Sequence, residues 1–368
     1  LQKHLDNWCP EIYRGLYVGR YNNDQISISP CCQSAQKTFL NQEFDFKKNS
    51  YLESLRDQFD SGVKPDACSR CWAAEDAGLK SRRQSAIEFY NIKSGYSDIK
   101  LESLDYSTTW ACNLACIMCG PNNSSFWATE LNLSKHDLIK IGKSSLSKND
   151  FLLSVDAGNL KKLHFNGGEP LINSDHVSFL KKIIDRNKNK LFVSYNTNGT
   201  IYPSDEVIDL WKNINLVKLF FSIDGTGDAY EYIRWPGKWK DTAGNILKMK
   251  SQLPSNVMFG FNVTVGCYNL LEIKEVWQWF QENLVSNREG DQSDFNWQIA
   301  YNYRPTLASS EVISIAQHSI EGIDIFSGLL EGTDNNAKQD DNWIMRLSEI
   351  DKRRGTDWKK SLKIGQYY

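Results

Sequence analysis

Apolar and polar positions along this chain follow two periods, and the change between them divides it into three stretches. From about residue 98 to 305, short β-prone runs recur at 99–106, 160–166, 191–196, 216–223, 257–265 and 295–301. The stretches between them have helical spacing. Val177, Leu180, Ile183 and Ile184 make one apolar face within 176–185, and Leu271, Val276, Trp279 and Phe280 do the same within 270–284. Six strands alternating with helices predict an α/β fold with a parallel sheet and right-handed crossovers. An open doubly wound sheet and a barrel fit this pattern equally.

Residues 1–97 read differently. Two β-prone runs, 14–21 and 25–29, flank the turn signal Asn22-Asn23-Asp24, which predicts a hairpin, and 51–59 reads as a short helix. A region this small with little apolar periodicity folds more securely around a metal. Beyond Pro305 the pattern becomes helical and polar. The expected organisation is therefore a cysteine-bearing module at 1–97, an α/β domain at 98–305 and a helical extension at 306–368.

Composition narrows the function classes. Across 368 residues the net charge is -2, which argues against a broad electrostatic footprint for nucleic acid. No run of about 18 apolar residues appears, so no membrane span is expected. Leu1-Gln2-Lys3-His4 is not the charged head of a signal segment. Nine cysteines are present: five at 9, 31, 32, 68 and 71, three at 112, 116 and 119, and Cys267 alone. Without a secretion signal such clusters read as metal ligands in a reducing cytoplasm rather than as disulfides.

The sharpest signal is Cys112-Asn-Leu-Ala-Cys116-Ile-Met-Cys119, placed directly after a predicted strand. Three thiolates on one loop can wrap a cubane cluster and leave its fourth iron without a protein ligand. A zinc knuckle completed by a distant His or Cys is the alternative reading of the same spacing. The Cys-x3-Cys-x2-Cys pattern, with Asn113-Leu114 and Gly120-Pro121 around it, resembles the signature of the radical S-adenosylmethionine (SAM) superfamily. The resemblance implies a partial (β/α)6 barrel of the TIM type. It also implies a [4Fe-4S] cluster on Cys112, Cys116 and Cys119 whose open iron is chelated by SAM. Reductive cleavage of SAM would then give a 5′-deoxyadenosyl radical that abstracts hydrogen from a substrate.

Further segments match that family in order along the chain. Gly167-Gly168-Glu169-Pro170 follows the second strand of the α/β domain; it is also a plain Gly-Gly turn. The resemblance assigns Gly167, Gly168 and Glu169 to the SAM amino group. Asn198, in Thr197-Asn198-Gly199, resembles a position near SAM, and an Asn-Gly turn accounts for it equally well. Ser222 and Asp224 fall on one side by strand alternation and suit a ribose. Arg234 resembles the arginine that pairs with the SAM carboxylate, against the alternative of a surface salt bridge. Asn262 or Asn269, towards the end of the fifth strand, is a further candidate to reach the cofactor, although no clear form of the family's adenine motif is present. All these matches sit at carboxyl ends of predicted strands.

The amino-terminal cysteines form a second constellation. Cys68-Ser-Arg-Cys71-Trp72, continuing to Gly78 and Arg82, looks like the auxiliary-cluster module called twitch, a shortened relative of SPASM. It would precede the barrel here, where most family members carry it afterwards. The resemblance implies a second iron–sulfur cluster on Cys9, Cys31 or Cys32, Cys68 and Cys71, with structural zinc as the alternative occupant. Strand alternation puts Cys31 and Cys32 on opposite sides, and Cys31 is the expected ligand. Cys267 reads as a small buried hydrophobe with hydrogen or proton donation as the sharper alternative, and His164 as core or pocket wall. Members with such modules modify ribosomally made peptides or oxidise small molecules, using an external donor of the flavodoxin or ferredoxin type. A peptide substrate is expected here, with a small molecule as the alternative; a non-catalytic zinc protein is the rival from another class.

Overall fold

The computed structural model describes residues 5–22, 25–40, 45–76, 78, 80–93, 98–140, 158–172, 176–187, 191–285, 294–300, 303–326, 329 and 342–368. Two compact units emerge. The first comprises Leu1–Thr109, Ser134–Tyr195 and Asp209–Val217, the second Trp110–Leu133, Asn196–Ile208 and Lys218–Tyr368.

The first unit is built on β1 (Gly15–Asn22), β2 (Gln25–Ser29), β3 (Lys37–Leu40), β4 (Ser103–Thr109), β5 (Lys162–Gly167) and most of β6 (Phe192–Thr197). Their order is β3-β2-β1-β4-β5-β6. The expected hairpin is present as antiparallel β1 and β2, although Asn23 and Asp24 of its turn lie outside the described residues. Its outer strand β3 and the parallel pairing of β1 with β4, Gly15 beside Ser103 through Val18 beside Tyr106, carry no periodic signal in the sequence. β4 pairs in parallel with β5, and β5 with β6. Leu163, Phe165, Val193 and Tyr195 are fully buried. Phe165 and Tyr195 rings meet at 4.9 Å and both touch His176, just before the helix α5 (Val177–Asn187).

Helices α1 (Ser50–Asp60), α2 (Ser69–Asp76) and α3 (Arg82–Phe89) complete the amino-terminal part. Asn49 caps α1 by accepting from the amides of Tyr51 and Leu52. Ser81 and Gln84 close a reciprocal capping box on α3, which satisfies two orphan amides at once. α1 buries Leu55 and Phe59 against Trp8, Ile12, Tyr13 and Trp72, a small apolar core.

In the second unit the strand order is β7 (Leu216–Ser222), β8 (Val257–Val265), β9 (Asp294–Ile299), with β8 and β9 parallel. The expected strand 257–265 coincides with β8; the last expected strand begins one residue early, and its residue 301 lies outside the described residues. Helix α4 (Ser125–Glu130) follows β4, α5 follows β5, and α6 (Asp205–Trp211) follows β6. After β7 come α7 (Gly227–Ile233) and α8 (Trp239–Gln252), and after β8 comes α9 (Ile273–Asn283). This strand–helix alternation from β4 to β9 is the mixed α/β arrangement expected of the six-stranded domain. The carboxyl-terminal part is helical, with α10 (Ser310–Ile320) and α11 (Asn342–Arg354). Among the described residues no helix is long and apolar enough to cross a membrane.

Phe261 on β8 is fully buried among Phe221, Trp279, Phe280 and Phe295. Phe261→Ala should therefore cost about 3–5 kcal/mol through lost transfer energy and the cavity left behind. Urea unfolding checks this, and a loss below about 1 kcal/mol would mean that the aromatic cluster is not the core of this unit.

Candidate functional site

The loop that follows β4 carries Cys112, Cys116 and Cys119, and backbone hydrogen bonds hold its shape. The Ala115 amide donates to the Trp235 carbonyl at 2.6 Å, and the Ile117 amide to the Ile233 carbonyl at 2.9 Å. Ser124, the N-cap of α4, donates its hydroxyl to the Leu114 carbonyl, and Ser125 Oγ accepts from the Cys112 amide at 3.0 Å. The Trp127 indole donates to the Cys116 carbonyl at 2.8 Å. Cys116 is buried, Cys112 half-buried and Cys119 exposed, so the thiols line a graded path from interior to surface.

Two side chains expected near a cofactor stand at these sulfurs. Asn198 Nδ2 donates to Asn113 Oδ1 at 2.9 Å and lies 3.9 Å from Cys112 Sγ, while Asn198 Oδ1 accepts from the Thr200 amide and hydroxyl. Asn113 in turn donates to Thr200 Oγ1 at 2.8 Å. The Asn-Gly turn is also real: Gly199 has φ +78°, a left-handed backbone that suits glycine. Arg234 Nη1 lies 3.7 Å from Cys116 Sγ, and its Nη2 donates to Asp224 Oδ2 at 2.5 Å.

Asp224 and Arg234 are both buried, so the surface salt-bridge alternative for Arg234 does not hold. Burial raises the Asp224 pKa against the opposing pull of Arg234 and of the Thr264 amide, which donates to Oδ1 at 2.6 Å. Burial works against the Arg234 charge, yet Asp224 and then Cys116 outweigh it and stabilise the cation. At Cys116 the hydrogen bond from Cys119 and the Arg234 guanidinium hold the pKa down to about 7. The same hydrogen bond, and then burial, raise the Cys119 pKa. Arg234 Nε, also buried, has no hydrogen-bond partner among the described residues. Such an orphan donor suits a carboxylate or another anion.

Asn269 is taken up by structure: its Nδ2 donates to the carbonyls of Asp224 and Thr264. Asn262 Nδ2 donates to Asn196 Oδ1 at 2.6 Å. Cys267 is fully buried, its thiol pKa pushed up by burial, and its amide donates to the Tyr303 carbonyl. Ser222 ends β7 half-buried.

In the first unit, Gly167 closes β5 with φ +127°, a conformation few side chains adopt, and pairs with Thr109 at the end of β4. Glu169 is fully buried and accepts from the Leu171 amide at 3.0 Å, so its carboxylate is oriented by its own turn. Gly168, between them, is half-buried. His164, half-buried on β5, bonds Ser194 at 2.8 Å, and burial lowers its pKa to about 4, so it is neutral.

The amino-terminal cysteines face a small pocket lined by Cys9, Cys31, Cys68 and Cys71 together with Glu11, Ser34, Trp72, Arg82 and Arg83. Cys32 is not in this lining; its thiol is near enough to the Asp105 carboxylate for each to shift the other's pKa. Burial pushes the Cys68 thiol up to about 11 and raises Cys9 and Cys31 further. Arg83 grips Glu75 through two hydrogen bonds, at 2.9 and 2.6 Å, and donates to the Trp8 carbonyl, which fixes one wall. Arg82 bridges Asp105 at 3.0 Å and Glu11 at 3.5 Å. Glu11 Oε2 and Arg82 Nε are buried without a hydrogen-bond partner among the described residues. Also among the described residues, no three His, Cys, Asp or Glu side chains converge as they would around a single metal ion. Ligands of a polynuclear cluster bind separate irons and need not converge on one point.

Residues 106–272 match the model of the radical SAM superfamily, so this stretch of the chain is a radical SAM domain. Domains of that superfamily use a [4Fe-4S] cluster and SAM. Among curated relatives, the chain is 32% identical over 126 residues to GTP 3',8-cyclase of Aliarcobacter butzleri, covering 34% of this chain and 35% of the relative. It is 28% identical over 178 residues to an uncharacterized protein of Methanocaldococcus jannaschii, covering 48% and 57%. The chain thus spans about a third of the cyclase and just over half of the second relative. Among solved structures, native anSMEcpe with bound AdoMet gives a TM-score of 0.40 at 16% identity, over 62% of this chain and 60% of that one. Streptococcus suis SuiB bound to S-adenosylmethionine gives 0.38 at 12%, over 82% and 60%.

Sequence reasoning missed three residues of the loop's surroundings: Thr200, Trp127 and Arg354, whose Nη2 donates to the Ala115 carbonyl at 2.7 Å. None sits at a spacing that announces its role.

Asp224→Asn keeps the shape but leaves Arg234 a buried cation without its counter-charge. It should destabilise the fold by about 3–5 kcal/mol, the usual cost of breaking one side of a buried pair. Urea unfolding measures the difference, and a change under about 1 kcal/mol would show that the pair is not a structural tie.

Proposed function

We propose that Cys112, Cys116 and Cys119 hold a [4Fe-4S] cluster with one open iron, and that the chain uses SAM there to start radical chemistry on an organic substrate. The observation that carries this reading is the cysteine loop itself, with Asn198 at Cys112 Sγ and the buried Arg234 cation at Cys116 Sγ. When bound and reduced by an external donor of the flavodoxin or ferredoxin type, the cluster supplies the electron that splits SAM to methionine and a 5′-deoxyadenosyl radical, which takes hydrogen from the substrate.

The chain's own residues position and shield. Arg234, with Nε unengaged, is assigned to the SAM carboxylate, and Asp224, with both oxygens in use, orients it. Gly167, Gly168 and Glu169 are assigned to the amino group, Ser222 to the ribose and Asn198 to the cofactor's edge. The cavity of Cys9, Cys31, Cys68 and Cys71 is assigned to a second iron–sulfur cluster in a twitch-like module, with zinc as the other occupant. Four cysteine ligands would close that site and suit it to electron transfer or structure. Both sites need reduced thiols, which fits a reducing cytoplasm.

The preferred substrate is a ribosomally made peptide, on the resemblance of residues 68–82 to the auxiliary module. A nucleotide or other small molecule is the second reading, favoured by the likeness to relatives named GTP 3',8-cyclase.

Anaerobic iron, sulfide and zinc analysis tests the class directly: zinc without labile sulfide would remove the enzyme. Replacing Cys112, Cys116 and Cys119 together by alanine should abolish 5′-deoxyadenosine formation under dithionite, and persistence of that product would overturn the assignment. Cys31→Ser should lose the iron of the second site while Cys32→Ser keeps it; the reverse outcome would exchange the two. Mass spectrometry of SAM reactions with GTP, and with a short peptide encoded beside this gene, separates the substrate readings by which one is altered.

A further inference from the structure

The carboxyl-terminal helix α11 ends on a residue that nothing in the cysteine motif announces. Arg354 is almost fully buried, with 2% of its side chain exposed. Its guanidinium lies 4.7 Å from the Trp127 ring centroid and 5.9 Å from that of Trp235. Nη2 donates to the Ala115 carbonyl at 2.7 Å, and Nε lies 3.1 and 3.2 Å from the two Glu130 oxygens. Both aromatic partners are themselves bound to the cysteine loop, Trp127 through the Cys116 carbonyl and Trp235 through the Ala115 amide.

The helix that delivers Arg354 is firmly seated. Trp343 is fully buried, packs edge-on against Trp358 and Tyr368 at 5.5 and 5.1 Å, and donates to the Leu307 carbonyl. Asp351 accepts from the Trp358 amide and the Thr356 hydroxyl, which ties the turn after α11. A buried arginine held this way carries a fixed positive charge, since a guanidinium is not deprotonated in proteins.

We propose that Arg354 is a positioning and potential-setting residue for the cluster on Cys112, Cys116 and Cys119: it clamps the loop at Ala115 and its charge favours the reduced cluster. Reduction adds one electron to the cluster, and a fixed cation behind the Cys116 ligand lowers the energy of the added negative charge. Glu130 opposes that charge, so the two substitutions act in opposite directions.

This inference rests on the cluster assignment made above, and the test separates the two. The probe is the reduced cluster's electron paramagnetic resonance signal that changes on adding SAM, followed in a redox titration of the full chain. If the wild-type chain shows no such signal, the cluster assignment fails. If it does, Arg354→Gln should retain iron and sulfide but lower the midpoint, so that the reduced-to-oxidised ratio at the wild-type midpoint falls on the order of tenfold, about 59 mV for one electron. Arg354→Lys should restore the potential, and Glu130→Gln should raise it. An unchanged midpoint in Arg354→Gln overturns the proposal. Should Arg354→Gln fail to assemble the cluster, an unchanged midpoint in Glu130→Gln overturns it instead.

Discussion

A buried guanidinium that must face a thiol and a carboxylate at once is the constraint around which the second unit is arranged. Arg234 cannot shed its proton, so its burial demands a permanent counter-charge, and Asp224 supplies it. Asp224 is then held by the Thr264 amide on one oxygen, and its carbonyl accepts from Asn269. The ends of β7 and β8 are therefore tied to each other through a charge whose other side faces Cys116. A surface arginine would leave all these groups free to solvate separately. Burial converts one ion pair into a scaffold.

The candidate site residues were singled out in the sequence by local spacing, whereas the pairings that hold them are distant in the chain. Cysteine spacing is a local signal and sharp by itself, whereas the Gly-Gly-Glu-Pro, Asn-Gly and Ser-x-Asp segments fit plain turns equally well and gain weight only from their order along the chain. The alternation of β8 is local too, and it coincides with the strand found. β4 was placed too early, at 99–106 rather than Ser103–Thr109. Its final turns are the polar Ser107, Thr108 and Thr109, which carry no apolar period. The amides of Lys100 and Glu102 bond to the Tyr13 and Arg14 carbonyls ahead of the strand itself. Arg354 was illegible for a different reason: its partners, Trp127, Trp235, Glu130 and Ala115, are distant in the chain, and a basic residue at a helix end usually needs no partner beyond the helix dipole.

In the amino-terminal region the adjacent cysteines show how much one step of backbone parity decides. Cys31 faces the cavity with Cys9, Cys68 and Cys71, whereas Cys32 turns to Asp105 on β4. Arg82 stands between these two environments, shared by Glu11 and Asp105. Burial favours the neutral form of Asp105, yet the Arg82 guanidinium outweighs it and holds its pKa below the usual carboxylate range. The ion pairs of this region link the small helical core to the sheet, which explains why so many charged side chains occur where the apolar period is weak.

The parallel pairing of β1 with β4 has a consequence for any shortened form of the chain. β1 occupies the flank of β4 that would otherwise present a row of open amides and carbonyls, and the short β3, with Lys37 at its start, becomes the outer border in its place. A fragment starting at residue 98 would bare that flank and invite a second copy to stack against it. The hairpin thus guards against self-association, a duty separate from any that its cysteines perform.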